Sequence, residues 1–265
     1  MIKALLFRNL RHHFSLMAAL FAGLVLFELI IVWVAARIDV GPGFRQLLGA
    51  LLPPEVVETI LGQFGFTSFS GALSFGYQHP LALVAAVALV VVMATIPAQE
   101  RESGLLDLLL ARPLTRTRYL FAVAGGVVTA ALLGPGALLA GEAVGLEIVD
   151  APVGVAWTSY LGSAVALVLL LLAVGAYSLL VATSAWRRGV AVAQAVGLTL
   201  LFYWLDFMGD YWNVLETARR LSPFHYFDPA LAARSGVPLL HWAVLGSVTV
   251  LAGAGAFLNF RRQDL

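Results

Sequence analysis

Apolar runs separated by short polar stretches organise the 265-residue chain. The runs at 15–36, 81–98, 119–140, 160–182, 189–205 and 239–260 each have a length in the range of roughly 17 to 25 residues that a helix uses to cross a bilayer. Hydrocarbon offers no partner to a free backbone amide, so segments of this kind are predicted to be helices. Residues 1–14 carry a different pattern. Ile2, Leu5, Leu6, Leu10 and Phe14 recur at helical spacing, with Lys3, Arg8, Arg11, His12 and His13 largely on other faces, which predicts a helix lying at the membrane surface. The first run has the basic flank of a signal peptide, but its length is that of a complete crossing, so it is expected to be retained.

Six crossings place both termini on one side. Lys3, Arg8, Arg11, Arg101, Arg112, Arg116, Arg118, Arg187, Arg188, Arg261 and Arg262 share that side, against Arg37, Arg45, Arg219, Arg220 and Arg234 opposite, eleven to five of the 16 basic residues. The excess puts the termini in the cytoplasm. Trp33, Trp157, Trp186, Trp204 and Trp242 each fall near a predicted span end, where an amphipathic ring is best accommodated. In the outer segments, a helix-like run is expected from Pro53 to Gly62, and Asp228-Pro229 reads as an N-cap and first helical residue.

One polar interruption stands out, from Gln99 to Arg116. Ser103 or Gly104 is expected to open a short helix there and Pro113 to close it, since proline lacks the donor that the next turn needs. Leu105, Leu106, Leu108, Leu109 and Leu110 give the segment more apolar surface than a connector requires. A docking element is therefore expected; a solvated face that stops the spans slipping into lipid is the plainer alternative.

Composition narrows the chemistry. Hydrophobic residues make up 61% of the chain and charged residues 12%, with a mean hydropathy of +0.92, which fits a polytopic membrane protein and no soluble domain. Cysteine is absent, which excludes disulfides, thiolate nucleophiles and cysteine metal sites. Lys3 is the only lysine and lies in no glycine-rich turn, so the chain holds no P-loop. Neither G-x-S-x-G nor H-E-x-x-H occurs, and no metal site, catalytic residue or nucleic-acid partner is expected. Adjacent His12 and His13 diverge on a helix, while His79 and His225 suit packing at span ends.

Glu28 is the exception, an ionisable group midway along the first span, where such a residue is costly and commonly faces protein or water. It is a candidate for the transport path, with Thr129 and Gln194 in other spans, or else a hydrogen-bonded carboxyl between helices. Gly141-x-x-x-Gly145 permits close helix approach, within the subunit or at a dimer seam. Pro135 is positioned to bend the third span.

Glu100, the run Gly104-Leu105-Leu106-Asp107-Leu108-Leu109-Leu110-Ala111, and Pro113 followed by Thr115-Arg116 resemble the signature of ABC-2 type permease subunits. There, an acidic residue, a Gly-Thr-Leu-Glu-like start and a Pro-x-Ser/Thr-Arg end frame a cytoplasmic coupling helix. Leu106 and Asp107 depart from that start, aspartate replacing the more usual glutamate. Leu221-Ser222-Pro223-Phe224-His225-Tyr226-Phe227-Asp228-Pro229, before the last span, is similar to the same family. The resemblance implies one all-α transmembrane domain over 1–265, with a cytoplasmic coupling helix in 99–116 between the second and third spans. It also implies a separate P-loop ATPase carrying ATP and magnesium, and a second permease copy, identical or related, in the inner membrane of a prokaryote. Glu100, Glu102, Gly104, Leu105, Asp107, Leu108, Arg112, Pro113 and Arg116 are the expected docking residues. Export of a hydrophobic or amphipathic substrate is expected from the apolar spans. Two alternatives are a complex that passes force to an outer partner without moving solute, and an intramembrane enzyme using Glu28.

Overall fold

The computed structural model describes residues 2–37, 69–111, 114–149, 155–235 and 238–262, with 46, 49–54 and 57 besides. The run expected from Pro53 to Gly62 falls largely outside these residues, as do Arg112 and Pro113. The described chain is helical, without strands. Helix α1 covers Ile2–His12 and α2 covers Phe14–Arg37; α3 (Phe69–Gln78) and α4 (Pro80–Ala94) follow, then two short helices, α5 (Ile96–Glu102) and α6 (Leu105–Leu110). After these come α7 (Arg116–Ile148), α8 (Leu161–Ser184), α9 (Arg188–Gly209), α10 (Glu216–Arg219), α11 (Pro229–Ser235) and α12 (Leu239–Arg262). Six helical segments are long and apolar enough to cross a membrane: α2, α3 with α4, α7, α8 with the 3₁₀ turn Trp157–Tyr160 before it, α9, and α12.

Three span boundaries move for identifiable reasons. The second crossing begins earlier than Leu81, because α3 precedes α4 and the two break only at His79. Pro80 cannot donate into the preceding turn, and the His79 ring instead accepts from the Leu81 amide at 3.2 Å. That crossing also ends earlier, at Ala94. Pro97 interrupts the backbone ladder, the Thr95 hydroxyl bonds back to the Val91 carbonyl at 2.9 Å, and the chain turns into α5. The third crossing runs on to Ile148, through a buried Pro135, and so takes Glu142 into the helix.

Helix α8 is the hub. It packs on α12, α7, α4, α9 and α11, and buries Leu167, Leu170, Leu171 and Val174 completely. Helices α9 and α12 lie at the edge, each with few buried residues, and present Leu200, Leu201, Val250 and Leu251 outward. On a chain of this composition such faces are suited to lipid, which solvates leucine as well as a protein core does. Asp228 caps α11 as its sequence suggested, its carboxylate accepting from the Leu231 amide at 2.8 Å.

The seam between α2 and α7 resolves the role of the paired glycines. A methyl group on Gly141 would stand 2.6 Å from the Val25 carbonyl oxygen, and one on Gly145 would stand 2.9 Å from the Val32 Cβ. The motif is spent within the subunit, bringing two backbones close enough for continuous dispersion contact. Gly145→Val is therefore expected to overpack this seam at a cost of about 1–3 kcal/mol, lowering the midpoint of thermal unfolding in detergent. Gly23→Ala in α2, with nothing within 4 Å of the added carbon, should leave that midpoint unchanged or raise it.

Candidate functional site

The polar interruption folds as an elbow of two short helices. Gly104 joins them with φ of +72°, the only residue with positive φ among those described and a conformation that a side chain would strain. The six residues of α6 are amphipathic, but Leu106 is fully buried and Leu109 and Leu110 pack against the domain's own core, so three of the five leucines expected as docking surface serve internal packing. The opposite face presents Asp107, Leu105 at 38% exposure and Leu108 at 69%.

Glu100, grouped by sequence with the docking residues, points the other way. It is 6% exposed, and its carboxylate accepts from the Arg8 guanidinium and from the Tyr119 hydroxyl. The bonds join three elements: α1, α5 and the first turn of α7. Arg8 also donates to the Asn9 side chain at 3.0 Å, so its fork is fixed from two sides. Tyr119 stacks on Phe260 of α12 at 5.6 Å. Beside this link, a cleft of about 200 Å³ lies between α1 and the elbow, lined by His12, His13, Gln99 and Ser103 among others. Burial pushes the His13 imidazole below its ordinary value, with His12 and Arg188 adding to the effect.

The next two residues bind a second part of the molecule. Arg101 donates to the Thr183 carbonyl at 3.1 Å and to the Ala185 carbonyl at 2.7 Å, where α8 ends, and its guanidinium lies over the Trp186 ring at 5.6 Å. Burial lowers the Arg101 value from its ordinary one, while Tyr119 and Asp107 act to raise it; a guanidinium remains charged in such a setting. Glu102 accepts from the Arg188 amide at 2.8 Å, where α9 begins. A cation therefore meets the carbonyl end of one helix and an anion the amide end of the next, the favourable sense for both helix dipoles. Arg116 donates to the Arg261 carbonyl at 3.4 Å, tying the start of α7 to the end of α12.

The remaining path candidates lie apart from one another. Glu28 is wholly buried between α2, α3 and α7. The Thr129 hydroxyl turns back to the Gly125 carbonyl of its own helix at 2.9 Å, and Gln194 is on an exposed face of α9. The polar groups beside Glu28 are Glu142 and Tyr77, whose hydroxyl donates to Glu142 Oε2 at 2.9 Å. Sequence reasoning missed Glu142 because it ended the third span at residue 140, two positions short. Its place inside Gly141-x-x-x-Gly145, a helix-packing motif, was the available signal.

No curated protein matches the chain. The family described as ABC-2 family transporter protein matches residues 15–265, which includes all six membrane-compatible segments and the elbow between the second and third. The chain belongs to the ABC-2 family, as a membrane-spanning permease subunit of an ABC transporter.

Proposed function

We propose that this subunit exports a hydrophobic or amphipathic substrate across the inner membrane of a prokaryote, driven by a separate P-loop ATPase that docks on α6. The observation that carries the reading is the outward face of that helix. Leu108 and Leu105 are exposed with Asp107 between them, on an element whose inner face packs on the core through Leu106, Leu109 and Leu110. Exposed leucines rimmed by charge are what a partner groove buries. ATP and magnesium would be held in the partner, and a second permease copy would complete the path. Helix α1, with Phe7 exposed alongside Lys3 and Arg11 and with the exposed Phe14 opening α2 just after it, suits the cytoplasmic membrane surface next to the docking site.

The elbow is well built to pass a push inward. Force applied at α6 reaches α4 and α7 through the chain itself, and α1 through Glu100. It reaches α8 and α9 through the caps made by Arg101 and Glu102. Glu100, Arg101 and Glu102 are consecutive, so one short helix grips most of the cytoplasmic end of the domain. Glu102 and Gly104 in this reading shape the docking element, and Arg116 anchors its return.

Asp107→Lys and Leu108→Glu are expected to reduce copurification of the partner ATPase and to abolish ATP-driven transport, with membrane insertion unchanged. Parental copurification and transport in both variants would end the docking assignment. A different signature is expected for Glu102→Gln with Arg101→Gln, which removes two caps worth about 1 kcal/mol each. The ATPase should still copurify and hydrolyse ATP, while transport per ATP falls several-fold. Loss of the ATPase from that double variant would show that the two residues belong to docking and not to transmission.

A further inference from the structure

Docking and transmission leave unused the most deeply buried charge-bearing residues among those described. Glu28 of α2 and Glu142 of α7 both have 0% exposure. The two carboxyls lie within electrostatic reach of each other. The α7 backbone closes over Glu28 from one side, where a methyl on Gly141 would stand 2.8 Å from the Glu28 Cβ, and Gly76 of α3 presses on its carboxyl from the other. One residue beyond Gly76, Tyr77 gives its hydroxyl hydrogen to Glu142 Oε2 at 2.9 Å. Both oxygens of Glu28 and Oε1 of Glu142 remain without a hydrogen-bond partner among the described residues.

Two buried carboxylates in that setting need a positive charge. The groups that face them are Tyr77 of α3 and Tyr160 of the turn before α8, neither of them a cation, and the Tyr160 hydroxyl is directed to the Ser70 carbonyl at 3.4 Å. His79, one turn from Gly76, packs against Phe27 and Phe75. No lysine or arginine among the described residues acts on either carboxyl. Leaving both ionised would cost several kcal/mol for each, comparable with a folded protein's whole margin of stability. A metal ion or an ammonium group brings its own radius and a demand for several ligands, and glycine backbones already occupy the space around Glu28. A proton needs one oxygen and no room.

We propose that Glu28 and Glu142 form a proton-binding site within the membrane domain, with Tyr77 fixing Glu142 for it. Uptake takes one proton from water and forms an O–H bond on a carboxylate oxygen; release breaks that bond and returns the proton. In the packed arrangement of α2, α3 and α7 the site is filled, and exchange with water requires those helices to part. The site is therefore a ligand-dependent latch on the seam between the first, second and third spans. It stands on the buried geometry and does not depend on where the ATPase docks.

Infrared spectroscopy of the purified chain in lipid bilayers reads the site without substrate or ATPase. The parent should show a protonated-carboxyl C=O band at neutral pH that exchanges slowly in heavy water. That band should disappear in Glu28→Gln/Glu142→Gln and persist in Glu147→Gln, an exposed position. Tyr77→Phe keeps both carboxyls and removes one hydroxyl, so it should shift the band without abolishing it, which preserves the test if the double variant fails to fold. Absence of the band in the parent, its survival in a folded double variant, or an unshifted band in Tyr77→Phe would each overturn the proposal.

Discussion

A carboxylate removed from water has to be met by charge and hydrogen bonds, and Glu100 is where the elbow end of this molecule meets that demand. Arg8 and Tyr119 reach it from elements that are distant in sequence, and the three together fix the N-terminal helix, the elbow and the third span to one another. Breaking such a pair leaves an uncompensated buried charge, which is why it constrains geometry more firmly than its net contribution to stability would suggest. The orientation of α5 follows from it. Arg101 and Glu102, the next two residues, are thereby aimed at the ends of α8 and α9.

That orientation divides the elbow's side chains into two groups. Residues facing inward hold the domain together, and the outward face of α6 leaves Leu108 and Asp107 exposed among the described residues. The corner at Gly104 is what allows the division. A left-handed residue between two short helices lets the second leave in a new direction, and glycine does so without strain. A partner that engages the outward face thus acts on a rigid lever rather than on a loop, as a permease driven by another subunit's nucleotide hydrolysis requires.

At the other level of the membrane the same physics gives an opposite result. Around Glu28, glycines replace side chains so that backbones of two helices can close on a carboxyl, and no basic residue among those described follows it in. The contrast with Glu100 is instructive. One buried glutamate has an arginine and a tyrosine and serves as a fixed joint. The other has a second glutamate and a tyrosine committed to that second glutamate, and so has a chemistry that can change.

The six membrane-compatible segments, the helical class, a short leucine-rich helix opening at Ser103 or Gly104, and the capped start of α11 were all legible in the chain. That a second short helix precedes the leucine-rich one across a left-handed Gly104 was not. Each legible feature depends on local patterning: apolar length set by bilayer thickness, period, and turn or cap residues that act within a few positions. Family resemblance around Gly104 to Ala111 pointed in the same direction. Tertiary structure alone decided which charges are structural and which are exposed, because that depends on which helix lies beside which. Glu100 and Glu102 look equivalent in the sequence, two positions apart in one polar stretch. Folding buries the first against Arg8 and leaves the second at a helix end. Glu142 was hidden for a related reason. A polar residue just past a predicted span end reads as part of a loop, and only the continuation of α7 through Pro135, held by close packing on α2, carries it inside the protein.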